Sequence, residues 1–554
     1  MPTTYAIPSA TDMPMTNDLP NTIAEAAGLI EARALSPLEL VQGLLQRIET
    51  IDPVIHSFLT VTADFAIDQA REAESEITQG RYRGVLHGIP FGLKDIYETA
   101  GIRTTGHSKV YENHVPRGNA SVVDKLYGAG AILLGKLATH ELAHGGPSFD
   151  LPWPPARNPW HLEHFTGGSS SGSAAAVAGG LVLAALGSDT GGSVRTPASL
   201  CGLAGMKPTF GMVSRHGVIP NSFSLDHCGP IARTAEDCAI LLNAMAGYDA
   251  RDRSSVPRPE HNFRTALRDD LRNVRIGVVR RFGDEYAAGN GELRAATEEA
   301  LRVLERLGAR LHDVVLRPLR DYYDVWTLIE EPETFAIQRK ALRDRPQDFG
   351  VVFLERTLIG CLIQGADYVN ALQERSRMSH EIDRALADCD VLVTPGAGPA
   401  PRLDPALAKW PKPNRFVPFA LSGNPAVVVC SGFSRAGLPL SIQLVGRPFD
   451  DGKVLAMAHA YEQEAGWWKR RAAISPNAQM APIAYRPPAI STSALEPKLV
   501  GVCAQAAERA GLRLRDKELA LLCGAAPQLF EMIERVRGWQ AHQVEPANVF
   551  RFNS

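Results

Sequence analysis

Apolar positions along the chain recur at two spacings, and the two alternate. Leu40, Leu44, Leu45 and Ile48 repeat at helical spacing. Just before them, Ser36-Pro37-Leu38-Glu39 forms a capping box, with proline where a first helical turn tolerates it. Residues 292–307 are amphipathic and helical in the same way. Residues 275–279 and 391–394 are short apolar runs of the kind that form buried strands. Residues 426–430 and 441–445 read as two strands joined by a turn at Ala436-Gly437. The longest apolar run, residues 174–187, is rich in Ala and Gly and too short to cross a bilayer. It predicts a buried helix followed by a strand. Helices alternating with short apolar runs predict an α/β fold around a mixed or parallel sheet.

The pattern changes near the C-terminus. Pro476, Pro482, Pro487, Pro488 and Pro497 punctuate residues 475–497, which predicts a linker. Two amphipathic helices are expected beyond it, within residues 498–554. The first carries Leu499, Cys503, Ala506 and Ala510 on one face. The second carries Leu522, Leu529, Ile533 and Val536, with Asp516 as its N-cap. Neither helix can bury its stripe alone, so the pair must pack on the main body or on another chain. Residues 1–21 are expected to be flexible, which leaves residues 22–474 as the principal domain.

Composition adds mainly exclusions. The chain has 554 residues, 45% of them hydrophobic and 21% charged, which is ordinary globular composition. With 58 Lys+Arg against 61 Asp+Glu, its net charge of −3 offers no electrostatic footprint for nucleic acid or an anionic membrane. The eight cysteines form no CxxC pair, and a chain of this size needs no disulfide framework. The N-terminal stretch lacks the basic start and apolar core of a secretory signal. A cytoplasmic protein with reduced thiols is expected.

Candidate chemistry is concentrated in two glycine-rich segments. Lys94 follows the apolar run within HGIPFGLKD, residues 87–95. Ser169 lies 75 positions later in GGSSSGS, and Ser193 follows 24 positions further in SDTGGSVR. Serine and lysine can run acyl transfer without histidine, provided that burial keeps the lysine neutral. The glycines of Thr190-Gly191-Gly192-Ser193 let backbone N–H groups face a developing oxyanion. Asp189 and Arg195 flank the second serine, and a structural ion pair is the favoured reading for them over a substrate anchor.

The segments HGIPFGLKDIYETAGIRTTGHS, GGSSSGSAAAVAGG, GSDTGGSVRTPASLCGLAGMKPTFGMVS and GNPAVVVCSGFSRAGLPLSIQLVGRPF resemble the amidase signature hydrolases, and the resemblance spans roughly residues 22–475. It implies a large mixed β-sheet covered by helices on both faces. It also implies Ser193 as nucleophile, Ser169 as bridging serine after a cis peptide, Lys94 as general base, and Thr190, Gly191 and Gly192 as oxyanion-hole backbone. No cofactor or metal is implied. Ser171 departs from the glycine that many members carry, though other members share the GSSSG form. The tail, ending EPANVFRF, resembles the small helical partner subunits of 1-carboxybiuret hydrolase and, more distantly, of glutamyl-tRNA amidotransferase. Here it is fused to the amidase.

Three other motifs compete. His140-Glu141-Leu142-Ala143-His144 matches HExxH, with Asp150 or Glu163 as conceivable third zinc ligands. Gly145-Gly146-Pro147 would break the helix this requires. Residues 130–137, GAILLGKL, approach a P-loop but carry Leu137 in place of the Mg²⁺-binding hydroxyl, inside a strand pattern. Gly168–Gly172 satisfies GxSxG around Ser170, the signature of an α/β-hydrolase, but leaves Lys94 without a role. The expected activity is hydrolysis of a small amide, ureide or carbamate. A zinc hydrolase, a Ser170 esterase, a non-catalytic binding module and a tRNA-dependent amidotransferase are the alternatives. Residues 320–380 are expected to line the pocket, and a homodimer is the expected assembly.

Overall fold

The computed structural model describes residues 19–259, 262–284, 291–408, 414–480, 483, 485 and 490–539. The expected flexibility of residues 1–18, part of the proline-rich linker and the EPANVFRF ending lie outside these residues.

A single eleven-stranded mixed sheet organises the chain. From one edge, its strands are Phe58–Val61, Ile132–Leu137, Pro90–Lys94, Ala184–Asp189, His227–Ala232, Ala204–Lys207, Ala426–Phe433, Pro439–Val445, Val391–Pro395, Arg275–Val278 and Arg310–Asp313. Pro90–Lys94 runs parallel to both of its neighbours, Ile132–Leu137 and Ala184–Asp189. These three strands are buried at every position, which is why they read as continuous apolar runs and not as alternating ones. The centre of the sheet is antiparallel, from Ala184–Asp189 through to Val391–Pro395. The pair Arg275–Val278 and Arg310–Asp313 returns to parallel pairing. One contiguous core joins the faces of this sheet to the surrounding helices.

Several predicted elements form where the pattern placed them. The helix Pro37–Ile55 is capped by Ser36, whose hydroxyl accepts from Leu38 and Glu39, while Glu39 accepts from the Ser36 amide. Residues 174–187 supply most of the buried helix Ser171–Ala178 and the strand Ala184–Asp189. Gly437 takes the left-handed conformation (φ +76°) in the turn between Ala426–Phe433 and Pro439–Val445. Residues 130–137 give a strand, Ile132–Leu137, and not a phosphate-binding loop.

The tail forms two helices, Pro497–Arg509 and Asp516–Gly538. The second begins at Asp516, so Arg515 and not Asp516 occupies the cap position. The Asp516 carboxylate instead accepts from the amide of Thr492 at 3.1 Å and from its hydroxyl. This helix buries Leu521, Leu522, Leu529, Met532, Ile533 and Val536. It lies on its own chain, against helices Leu319–Asp344, Val351–Thr357 and Gly365–Ala387. Two charge-assisted pairs fasten it. Arg535 Nε lies 2.6 Å from Asp324 Oδ2, and Arg537 Nε lies 2.8 Å from Asp367 Oδ1.

Candidate active site

The strand Pro90–Lys94 ends on Lys94, and the parallel strand beside it ends on Ser188 and Asp189. Parallel strands concentrate their loops, and hence their chemistry, at the carboxyl ends. Ser169 is carried to the same point by the turn before helix Ser171–Ala178, and the Gly168–Ser169 peptide is cis. Lys94 Nζ lies 2.7 Å from Ser169 Oγ and 2.8 Å from Ser188 Oγ. All three residues are buried. Burial is the main influence on Lys94. It lowers the amine from 10.5 to about 7, against the opposing pull of Asp226 and Asp189.

The strand Ala184–Asp189 continues through Thr190-Gly191-Gly192 to Ser193, which is half-buried. The Ser193 carbonyl accepts from the Ser170 amide at 3.2 Å, so the two serine segments are joined through backbone. The loop between them is shaped by close approach. A Cβ on Gly191 would sit 2.7 Å from the Trp326 ring. A Cβ on Gly192 would sit 2.7 Å from Phe416, and Gly192 also has φ +126°, a region closed to larger residues. The Gly192 N–H donates to Asp189 Oδ1 at 2.8 Å and is therefore committed to holding the loop. Among the described residues, the amides of Thr190, Gly191 and Ser193 are left without an acceptor.

Asp189 and Arg195 have the structural role that was favoured, but they pair with each other and not with other buried charges. Arg195 Nε and Nη2 donate to the two Asp189 oxygens at 2.9 and 2.8 Å, and both side chains are buried. Burial alone would raise Asp189, but the Arg195 charge and its hydrogen bonds outweigh it and hold the carboxyl below the usual range. Arg195 is itself anchored to Gln443 Oε1 at 2.7 Å and to the Phe416 carbonyl at 3.0 Å.

Helix Leu319–Asp344 packs against the loop that leads to Ser193. Trp326 Nε1 donates to the Thr190 carbonyl at 3.1 Å. Asn221 Nδ2 donates to Glu330 Oε1 at 2.9 Å and reaches Thr190 Oγ1 at 3.4 Å. Thr190 Oγ1 in turn donates to Asp226 at 2.6 Å. A cavity of about 270 Å³ adjoins the site and includes Ser188, Asn221 and Asp226 in its lining, but none of residues 320–380, which were expected there. Ser188, Asp226 and Trp326 were not singled out from sequence. Ser188 had one available signal, its position beside Asp189 at the end of the strand.

HExxH does not form the arrangement that zinc requires. Glu141–Ala143 is a single 3-10 turn, with Leu142 and Ala143 at φ +49° and +64°. His140 and His144 therefore do not share a helical face. His140 is buried beside Gly168 and is kept neutral by burial and by Lys94, which lower it to about 3. Glu141 accepts from Ser108 at 2.6 Å and from the Gly350 amide at 2.8 Å. Asp150 accepts from the Val351 amide, and Glu163 pairs with Arg402. His144 joins Glu330 and Glu331, with one potential ligand atom from each lying within 4.8 Å of the others. Arg356 already lies 2.7 Å from Glu331. Burial disfavours a charged His144, but Glu331 and Glu330 outweigh it and raise the imidazole to about 9.

Ser170 is equally unsuited to the esterase reading. Its hydroxyl is buried against the backbone of Ser188, donating to the carbonyl and accepting from the amide at 3.3 Å each.

The structure thus gathers a buried lysine, the hydroxyls of Ser169 and Ser188, and the glycine loop that leads to Ser193. Residues 39–455 match the family model described as Amidase, so the chain belongs to the amidase signature family, whose members act on carbon–nitrogen bonds. It is 38% identical over 484 residues to the A-type subunit of the glutamyl-tRNA(Gln) amidotransferase of Geotalea daltonii, covering 82% of this chain and 99% of that one. Among solved structures, the peptide amidase of Stenotrophomonas maltophilia is 30% identical, with TM-score 0.71 and coverage of 82% and 98%. A chain from a vestigial complex bearing on the origins of an s-triazine catabolic enzyme is also 30% identical, with TM-score 0.75 and coverage of 80% and 98%. The family match ends before the two tail helices.

Proposed function

We propose that this enzyme hydrolyses a small amide, ureide or carbamate through a Ser193–Ser169–Lys94 relay and an acyl-enzyme. The observation that carries the reading is Lys94 Nζ, buried and 2.7 Å from Ser169 Oγ. Neutral Lys94 accepts the Ser169 proton, and Ser169 accepts that of Ser193. Ser193 Oγ then attacks the carbonyl carbon. The negative charge on the carbonyl oxygen is met by amides of the Thr190–Ser193 loop, with Thr190, Gly191 and Ser193 as donors not otherwise engaged. The proton returns through Ser169 to the departing nitrogen, and water cleaves the acyl-enzyme by the same route. These steps need no metal or cofactor. We further propose residues 22–474 as the catalytic domain, 475–497 as a linker and 498–554 as a helical arm, in a cytoplasmic homodimer. All eight cysteines are free, and among the described residues no helix is long and apolar enough to cross a membrane.

The likeness to amidotransferase subunits at 37–38% identity favours a second reading, release of ammonia from glutamine for transfer to another acceptor. Ammonia release from a panel of amides, ureides, carbamates and glutamine separates the two. Activity confined to glutamine would overturn the small-amide reading. A fluorophosphonate is expected to label Ser193. Labelling at Ser170 would overturn the relay.

A further inference from the structure

The tail helix Asp516–Gly538 reaches towards the oxyanion loop through a short series of contacts. Arg535 makes a two-point contact with Asp324, Nε to Oδ2 at 2.6 Å and Nη2 to Oδ1 at 3.0 Å. Asp324 is buried in helix Leu319–Asp344, two residues before Trp326. Trp326 donates to the Thr190 carbonyl and packs its ring on Gly191. The same helix meets the site again through Glu330 on Asn221 and Glu333 on Ser222 and Ser224.

Two features make this helix dependent on outside support. It contains Pro332, which removes one main-chain hydrogen bond at its middle and favours a kink. It also buries Asp324, whose charge is tolerated only with a partner. Arg535 supplies that partner, and its two parallel contacts restrict orientation as well as distance. The tail also covers helix Val351–Thr357, which carries Arg356 to Glu331 on helix Leu319–Asp344.

We infer that Arg535 is a positioning residue for the reaction: through Asp324 it fixes helix Leu319–Asp344, so that Trp326 holds Thr190 and Gly191 in register for the oxyanion. The tail thus tunes the catalytic loop and does not serve stability alone. The inference rests on the proposed role of the Thr190–Ser193 loop. Arg537 supplies an internal control, because it fastens the same tail helix to Asp367 on a different helix.

The test uses the full-length protein well below its melting temperature. Two quantities are read: the second-order rate of Ser193 labelling by a fluorophosphonate, and hydrogen exchange of the peptide spanning residues 189–195. Arg535→Ala is expected to slow labelling roughly 3- to 30-fold, the range that such couplings reach, and to speed exchange of the loop peptide. Arg537→Ala should lower the melting temperature while leaving both readouts near wild type. Arg535→Lys should restore part of the labelling rate. Trp326→Phe should slow labelling similarly, and the double variant Arg535→Ala/Trp326→Phe should be no slower than the worse single one. If Arg535→Ala fails to fold, Arg535→Lys and Trp326→Phe carry the comparison. Unchanged loop exchange in the Arg535 variants, or equal effects of Arg537→Ala, would overturn the inference. Altered loop exchange in a protein whose Ser193 is never labelled would leave the coupling standing and remove the nucleophile assignment.

Discussion

The relay requires that the active enzyme hold Lys94 as a free amine, which makes pH the most direct perturbation. Burial lowers Lys94 from 10.5 to about 7. That difference corresponds to roughly 5 kcal/mol in favour of the neutral form over an exposed lysine. At pH 5 about 1% of the enzyme has a neutral Lys94, at pH 7 about half, and at pH 8 about 90%. An unshifted lysine would be neutral in about 0.03% of molecules at pH 7. The second-order rate of fluorophosphonate labelling should therefore rise about tenfold per pH unit below pH 7 and level off above pH 8. Lys94→Arg keeps a permanent charge and should be nearly inert across the range. The same shift acts on stability with a definite sign. Between about pH 7 and 10.5 the unfolded chain binds the Lys94 proton and the folded chain does not, so this group's contribution to stability rises with pH through that window. Lys94→Met should accordingly be inactive and yet melt no earlier than wild type at pH 7. A labelling rate independent of pH between 5 and 8, or an active Lys94→Arg enzyme, would refute a neutral lysine base.

Other consequences are separable. Ser193→Ala should lower amide turnover by several orders of magnitude in a steady-state ammonia assay while preserving the melting temperature. Asp189→Asn leaves the buried Arg195 without its charge partner and should cost about 3–5 kcal/mol in a denaturant titration, with loss of activity as the loop loosens. Prolonged chelation should leave the rate unchanged, and elemental analysis should find no stoichiometric zinc. Loss of activity on chelation, with recovery on adding zinc, would restore HExxH as the site. Truncation near residue 475 uncovers the surface beneath Leu521, Leu522, Leu529 and Ile533. With each side chain worth about 1.5–3 kcal/mol, several kcal/mol should be lost. The shortened protein should aggregate or melt earlier in a thermal scan.

The sequence was most legible where a residue's neighbours along the chain decide its environment. The apolar Gly88-Ile89-Pro90-Phe91-Gly92-Leu93 ahead of Lys94 announces a buried strand, and a lysine at its end must be buried too. The alternating helices and short apolar runs gave the α/β class for the same reason. Contacts formed across the sheet were not legible. Nothing local marks Trp326 as the residue that lies on Gly191, 135 positions away, or Asn221 as the link between Thr190 and Glu330. The Gly192 amide illustrates a finer limit. Its glycine character is visible, but its use by Asp189 depends on how the strand end turns back on itself. The cap of the last helix failed similarly, because the Asp516 carboxylate is drawn to Thr492, 24 residues away in sequence.

A lowered lysine pKa is not what singles out Lys94 as the proposed base. Lys94, Lys136 and Lys207 are all buried, and burial lowers all three. Lys136 Nζ lies 3.2 Å from Asp95 and donates to Thr104 and to the Tyr97 carbonyl, so its proton secures one corner of the sheet. Lys207 Nζ donates to the Pro208 carbonyl at 3.0 Å, an acceptor with no proton to give. Lys94 alone among the three contacts two hydroxyls, and a hydroxyl can either accept from the amine or donate to it. When Lys94 is neutral it can keep Ser188 as acceptor and turn its lone pair to Ser169. Burial acts on all three lysines in the same direction, and the local geometry places only Lys94 between two serine hydroxyls, as the proposed relay needs.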